Sequence, residues 1–326
     1  MRAIFLGICA SFFFASSFVL NRMMSNGGGS WIWSASLRYI FMLPLLLLIV
    51  LLRGQFTSLV KEIRKHPWQW FSWSFVGFGL FYAPLCFSSE YSPAWLVAGT
   101  WQFTIVAGSL MTPLFHTTGI LPNGVPAART KMPLGALGMS TVILGGIILM
   151  EIAQVEHVKV SEILLGGLPV IVAAFAYPLG NRKMMQLCEG RLTAVQRTLG
   201  MTICSLPLWI VLSVYQWIAH GLPSENQTVQ SCVVAVCSGV IATVLFFSAT
   251  DMARGNAHQL AAVEATQAGE VVFTLLGEWM LIPGTTISVL GLVGLFIVVV
   301  GMVLHSFSSS RGHQQAKENQ VFDVAP

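Results

Sequence analysis

The chain has 326 residues, of which 55% are hydrophobic and only 9% are charged, and its formal net charge is +4. Soluble domains carry about 25% charged residues, so this composition excludes an ordinary soluble globule. The apolar residues come in blocks long enough to cross a bilayer, which predicts an all-α integral membrane protein with the lipid bilayer as its partner. The basic residues are spread over short loops, so we expect no nucleic-acid partner.

Ten apolar segments of suitable length follow one another along the chain, and we predict that each is a transmembrane helix. They are 3–21, 31–52, 69–89, 93–115, 132–150, 162–180, 197–218, 229–249, 256–280 and 284–305. The first also resembles a signal peptide, but an internal repeat described below requires it as a permanent helix. The polar tail, 306–326, lacks periodicity and is predicted to be disordered.

The positions of the basic residues predict the orientation. With the N-terminus in the cytoplasm, only Arg22, Arg38 and Lys159 of the 17 Lys and Arg residues fall on the outer side, which leaves 17 − 3 = 14 on the inner side. Membrane proteins concentrate Lys and Arg in cytoplasmic loops. We therefore predict a multi-pass protein of the cell (inner or plasma) membrane with both termini, and hence the tail, in the cytoplasm.

The two halves of the chain carry matching residues. "FVLNRMM" ends the first apolar segment and "PLGNRKMM" ends the sixth, so that Asn21 precedes its counterpart Asn181 by 160 positions. Further pairs follow in the same order at nearly the same offset: Arg38 with Arg197, Glu90 with Asp251, and Gln102 with Gln267. The repeats are 1–150 and 162–305. Each holds five predicted spans, and because five is odd, the second repeat must cross the membrane upside down.

An inverted repeat is typical of transporters, because two equivalent halves can make the same contacts at either membrane face. The sequence also resembles the drug/metabolite transporter superfamily, and its multidrug resistance efflux transporter family in particular. The stretches that carry the likeness are "FFFASSFVLNRMM", "AAFAYPLGNRKMM", "TLLGEWML" and "LGLVGLFIVVVGMVL". The resemblance implies export of small organic molecules through a cavity between the halves. Residues 3–20 lack the carboxylate with which four-helix relatives couple drugs to protons.

Charged residues inside the predicted spans are candidates for gating, because a charge at the bilayer centre costs at least ~2.5–3.5 kcal/mol. We expect two ion pairs at equivalent places in the repeats, Arg38–Glu90 at the outer side and Arg197–Asp251 at the inner side. Each pair could latch one gate. The alternative is that each carboxylate only neutralises its arginine or faces the headgroups.

The ninth segment is the most polar and supplies candidates for substrate binding or coupling. Glu264 and Gln267 are predicted to share one helix face, while Glu270 points elsewhere and lies nearest the membrane midplane. We expect Glu264 or Glu270 to accept a proton or a cation. The alternative is a packing carboxylate held by an arginine or by hydroxyl groups.

The fourth segment offers an aromatic candidate. Trp101 would share a face with Thr104 and Gly108, which leaves a ring beside small residues as a possible stacking platform for a planar or cationic solute. Gln102, Asn21 and Asn181 are further candidates for substrate contact. Helix packing is the alternative for all four.

The sequence contains no phosphate-binding loop, no C-x-x-C pair among its six cysteines and no metal-ligand spacing among its seven histidines. We therefore expect no cofactor, no metal and no enzyme activity. The preferred function is a secondary active transporter with a small-molecule substrate, and protons are the candidate coupling ion. Uptake of a nutrient is the rival direction, and a membrane enzyme or a channel is the rival class. A monomer is sufficient and a homodimer possible.

Overall fold

The computed structural model describes residues 1–111, 114, 134–155, 160–254, 256–284, 288–301 and 304. Within these residues every regular element is a helix, which confirms the all-α fold class. The helices are α1 Arg2–Asn26, α2 Trp31–Leu52, α3 Phe56–Lys65, α4 Pro67–Tyr91, α5 Ala94–Trp101, α6 Phe103–Met111, α7 Leu134–Val155, α8 Val160–Cys188, α9 Ala194–His220, α10 Glu225–Met252, α11 Ala257–Ala265, α12 Gly269–Leu281 and α13 Val289–Gly301. The predicted tail, 306–326, lies outside the described residues.

Six helices are long and apolar enough to cross a membrane: α1, α2, α4, α8, α9 and α10. They coincide with the first, second, third, sixth, seventh and eighth predicted spans. The described helices of the fourth and ninth spans are shorter, because each of these spans is interrupted. The protein is therefore a multi-pass membrane protein.

Two of the predicted spans, 93–115 and 256–280, each contain a helix break among their described residues. In the first, α5 ends at Trp101 and α6 begins at Phe103. The backbone N–H of Gln102 donates to the Gly99 carbonyl at 2.9 Å, and its side-chain amide donates to the Ala98 carbonyl at 3.0 Å. In a continuous α-helix the backbone N–H of Gln102 would donate to the Ala98 carbonyl. Here the side-chain amide of Gln102 donates to that carbonyl instead.

In the ninth span, a 3₁₀ turn over Thr266–Ala268 separates α11 from α12. The Thr266 hydroxyl donates to the Val263 carbonyl at 2.6 Å, a local bond that competes with the regular helical pattern. This turn interrupts the regular α-helical register between Glu264 and Glu270.

Two other helices contain π-helical segments, Phe75–Gly79 in α4 and Ala235–Ala242 in α10. Such segments widen a helix locally and often occur at functional sites. At the first, α4 meets α8 backbone to backbone, because a Cβ added to Gly180 would lie 2.3 Å from the Gly77 Cα.

Each main packing contact joins a long helix from the first half of the chain to a helix from the second half. α4 packs against α8, α2 against α9, and α1 against both α10 and α12. The buried interior holds aromatic rings and three arginines, Arg38, Arg182 and Arg197. Because lipid is as apolar as this interior, close packing and polar contacts hold the helices together.

Candidate functional site

Five buried side chains from five helices meet inside the bundle. They are Arg38 of α2, Tyr82 of α4, Trp101 of α5, Tyr177 of α8 and Glu270 of α12, and we call them the central polar cluster. Each is at most 2% exposed. The sequence predicts Trp101 and Glu270 as separate candidates and Arg38 as a gate residue, and the structure brings the three together.

Arg38 lies over an aromatic ring rather than against an acid. Its guanidinium carbon is 3.9 Å from the ring centroid of Tyr82 and 5.5 Å from that of Tyr39. The Nε and Nη1 atoms find no hydrogen-bond partner among the described residues. Burial of a charge costs several kcal/mol, and a desolvated cation–π contact offsets about 2 kcal/mol of this cost. Arg38 therefore retains hydrogen-bonding capacity that the described residues do not use.

Glu270 occupies the first turn of α12, where the partial positive charge of the helix N-terminus favours a carboxylate. The Trp101 indole donates a hydrogen bond to it. The Oε1 atom lacks a hydrogen-bond partner within the described part of the chain. The Arg38 charge acts on Glu270 through space, but the two form no ion pair. Glu270 is thus a buried acid with one unused oxygen.

Tyr177 joins the two charged residues to the aromatic interior. Its ring lies 4.6 Å from Phe81, 5.6 Å from Trp101 and 5.8 Å from Phe246, measured between centroids. Its hydroxyl finds no partner among the residues that the structure describes. Sequence reasoning missed Tyr177, although it stands four residues before Asn181 in a stretch quoted for the family likeness.

The expected outer ion pair Arg38–Glu90 is wrong. Glu90 lies at the end of α4 and accepts a hydrogen bond at 3.1 Å from the backbone N–H of Trp31, the first residue of α2. Arg22 donates to the carbonyls of Ser89 and Glu90 at 3.0 and 3.3 Å. Glu90 therefore caps a helix N-terminus, while Arg38 is held by aromatic rings deeper in the bundle.

At the other predicted pair, the structure does bring Arg197 and Asp251 together, with Nη1 and Oδ1 2.5 Å apart. The Arg197 guanidinium also lies 4.6 Å from the Phe247 ring centroid and donates to the Phe247 carbonyl at 3.3 Å. The contact ties α9 to the end of α10. Its role as a latch stays a prediction.

Glu264 is engaged by an arginine that the sequence did not assign to it. Arg182 Nε and Nη2 donate to its two carboxylate oxygens at 3.0 and 2.6 Å, and Nη1 donates to the Gly108 carbonyl at 2.6 Å. The site thus joins α8 and α11 to α6. Both carboxylate oxygens of Glu264 are thus engaged by Arg182.

The two predicted glutamines, Gln102 and Gln267, are buried at the two helix breaks. The two predicted asparagines each connect the helix that carries them to a second helix. Asn21 donates to the Tyr82 hydroxyl at 3.1 Å, which links α1 to α4, and Asn181 donates to the Thr250 hydroxyl at 3.5 Å, which links α8 to α10.

Within the described residues, no three His, Cys, Asp or Glu side chains form a group that could hold a metal ion.

These features define a multi-pass helical membrane protein with a buried polar cluster. A family model described as "Putative multidrug resistance efflux transporter" (EmrE) matches residues 1–311. The chain therefore belongs to this family of membrane transporters, which is a member of the superfamily that the sequence resembles.

Two relatives are similar over most of the chain. The uncharacterized protein YjlA of Bacillus subtilis (strain 168) is 56% identical over 309 residues, which is 95% of each chain. An uncharacterized 42.1 kDa protein of Shouchella clausii is 50% identical over 270 residues, which is 83% of this chain and 70% of that one. A solved structure titled "Crystal structure of protein" covers 95% of this chain and 98% of its own with a TM-score of 0.66. Because that identity is 12%, the likeness concerns the fold alone.

Proposed function

We propose that this protein is a secondary active transporter of the cell membrane that exports small organic molecules by alternating access. Its ten spans form two inverted repeats, 1–150 and 162–305, with both termini and the tail in the cytoplasm. The central polar cluster is the substrate site, and Glu270 couples transport to protons.

Backbone irregularities support the repeat independently of residue matching. The π-helical segments begin at Phe75 and Ala235, and 235 − 75 = 160, the offset that also separates Asn21 from Asn181. The two helix breaks surround Gln102 and Gln267, another matched pair. Apolar composition alone does not require such coincidences.

The composition of the central polar cluster supports a site between the halves. Arg38, Tyr82 and Trp101 belong to the first proposed repeat, whereas Tyr177 and Glu270 belong to the second. Transporters with inverted repeats bind substrate at the interface of the repeats, often beside broken helices. Trp101 directly precedes one break and Glu270 follows the other.

The single observation that carries the proposal is that Oε1 of buried Glu270 has no hydrogen-bond partner among the described residues. An intramembrane carboxylate without an arginine partner is a candidate for carrying a proton or a cation. In this role a proton and a substrate would compete for the same carboxylate, which links the entry of one to the release of the other. Arg182–Glu264 and Arg197–Asp251 would act as inner latches that break when the inner side opens.

Proton-linked transport can be measured in energised everted membrane vesicles with a fluorescent ΔpH dye. Ethidium, phenylalanine and uridine, added one at a time, represent cationic, zwitterionic and nucleoside-like solutes. We expect at least one to dissipate the pH gradient with the wild-type protein. Glu270→Gln should abolish the response, and Glu225→Gln at the exposed start of α10 should retain it. A full response with Glu270→Gln would remove Glu270 from coupling, and no response to any solute would contradict proton-driven export.

The inverted arrangement has a separate test. Epitope tags inserted at Gly28, in the turn after α1, and at Glu189, in the turn after α8, should be labelled from opposite membrane faces in intact and permeabilised cells. Labelling of both tags from the same face would refute the inverted repeat.

A further inference from the structure

The central polar cluster holds two opposite charges that are near each other without being paired. Arg38 and Glu270 are each 1% exposed, and the Arg38 charge acts on the Glu270 carboxylate. If the two served only to neutralise each other, the fold would be expected to bring them into hydrogen-bonded contact, as it does for Arg182 and Glu264 at 2.6 Å. Instead, each is held by aromatic groups.

The unused atoms of the two side chains are chemically complementary. Arg38 offers the N–H groups of Nε and Nη1, which require an acceptor such as a carboxylate. Glu270 offers Oε1, which requires a donor such as an ammonium. The Tyr177 hydroxyl also lacks a partner within the described residues, and both charges act on it. Buried polar groups are normally hydrogen-bonded, so three open ones in one cluster indicate a ligand.

Aromatic rings connect the two charged ends. The Phe81 ring centroid lies 6.0 Å from the Arg38 guanidinium and 5.1 Å from the Trp101 ring, and Trp101 in turn bonds Glu270. Tyr177 packs against both Phe81 and Trp101. A solute that reaches from Arg38 to Glu270 therefore lies along aromatic faces, which favours an apolar or planar group between or beside its charged ends.

We propose that the substrate is a small zwitterion, with a carboxylate that binds Arg38, an ammonium that binds Glu270, and an apolar group that packs on Phe81, Trp101 and Tyr177. A lipophilic cation would satisfy Glu270 but leave Arg38 buried beside another positive charge. An organic anion would bind Arg38 but leave Glu270 buried beside another negative charge. The inference rests on the proposed transport function and specifies its substrate class.

Three compounds with the same ring separate the possibilities. Phenylalanine carries both charges, phenethylamine carries only the ammonium, and 3-phenylpropionate carries only the carboxylate. We expect phenylalanine to bind the purified wild-type protein at least tenfold more tightly than either analogue, measured as ligand-dependent thermal stabilisation. Equal or tighter binding of phenethylamine, or no binding of phenylalanine, would overturn the zwitterion proposal without any variant being needed.

Charge-neutralising variants then test which residue binds the ammonium and which binds the carboxylate of the ligand. Glu270→Gln should remove the preference for phenylalanine over 3-phenylpropionate, and Arg38→Gln should remove the preference for phenylalanine over phenethylamine. Glu225→Gln and Arg53→Gln, at exposed positions, should change neither ratio. If both cluster variants remain folded and keep the wild-type ratios, the assignment is wrong. Vesicles that respond to ethidium but not to phenylalanine would reject the zwitterion proposal and leave proton-driven export supported. No response to any of the solutes would instead contradict proton-driven export.

Discussion

Arg182 binds both carboxylate oxygens of Glu264 through two hydrogen bonds, and the third nitrogen of the same guanidinium donates to the Gly108 carbonyl at 2.6 Å. The two side chains are only 6% and 5% exposed. One arginine thus fixes α6, from the first proposed repeat, to α8 and α11, from the second. The contact therefore holds the two proposed repeats together at this point.

Removal of one partner should be more harmful than removal of both. Arg182→Gln or Glu264→Gln alone leaves an uncompensated buried charge and should lower the free energy of unfolding by about 3–5 kcal/mol. The double variant leaves no buried charge, so its loss should be smaller than the sum of the two. Unfolding in detergent, followed for all four proteins of the cycle, measures the coupling. Additive losses would show that the pair acts as two independent residues.

The same site requires a glycine at position 108. A Cβ added there would lie 2.5 Å from Glu264 Oε2 and 3.2 Å from Arg182 Nη2, well inside van der Waals contact. Gly108→Ala should therefore force the pair apart and cost about 1–3 kcal/mol in unfolding free energy. Gly138→Ala is the matched control, because a Cβ at that exposed helical position meets nothing within 4 Å. Equal melting temperatures for Gly108→Ala and wild type would contradict the tight packing.

Sequence reasoning identified the long helices because an uninterrupted apolar block has few alternatives in lipid. It did not foresee the breaks at Gln102 and at Thr266–Ala268, because each depends on a side chain that bonds a nearby carbonyl, and the same residue types are compatible with a regular helix. Length and hydropathy therefore locate a span without revealing its interruptions.

The candidate site was predicted in parts. Glu270, Trp101 and Arg38 were recognisable as polar or aromatic residues inside apolar segments, but their meeting depends on how α2, α5 and α12 pack. The wrong prediction of an Arg38–Glu90 ion pair also arises from unknown helix packing. Repeat symmetry suggested this pair by analogy with Arg197–Asp251, and it did not consider that a carboxylate can instead bind a helix N-terminus. The backbone N–H of Trp31 was an equally good partner for Glu90, and the sequence gives no depth difference fine enough to separate the two choices.

Two acids on different helices are expected to protect specific helix N-termini. Glu278 accepts hydrogen bonds from the backbone N–H groups of Ala94 and Trp95 at 3.3 and 2.8 Å, as Glu90 does from Trp31. Loss of such a cap costs about 0.5–2 kcal/mol locally. Glu278→Leu should therefore speed hydrogen exchange at the start of α5 and leave the start of α2 unchanged.

The reciprocal variant provides the control for this prediction. Glu90→Leu should speed exchange at Trp31 and leave Ala94 and Trp95 protected. Mass spectrometry of exchanged peptides covering the two helix starts resolves the two effects. If either variant accelerates both sites equally, the acids stabilise the fold as a whole rather than the individual helix ends.

Glu62 of α3 provides a pH-dependent contact outside the predicted spans. Its Oε1 accepts from Arg191 at 2.7 Å, and its Oε2 accepts from Lys65 at 3.1 Å. The hydrogen bond from Arg191, the largest cause, and that from Lys65 hold the pKa of Glu62 below its ordinary value despite the opposing effect of burial. Because Arg191 follows α8, this contact ties the short helix of the first half to a turn of the second.

A carboxylate with a lowered pKa in the folded state stabilises the protein above its unfolded pKa, and this contribution disappears as pH falls through the lowered value. Glu62→Gln should therefore be less stable than wild type at pH 7, by about 0.5–1 kcal/mol because Arg191 and Lys65 are 42% and 58% exposed. The difference should shrink below pH ~4, where glutamates protonate. Thermal unfolding in detergent from pH 3.5 to 7, with Glu225→Gln as the exposed control, measures it. A gap between wild type and Glu62→Gln that stays constant over this range would show that the carboxylate charge does not contribute to the contact.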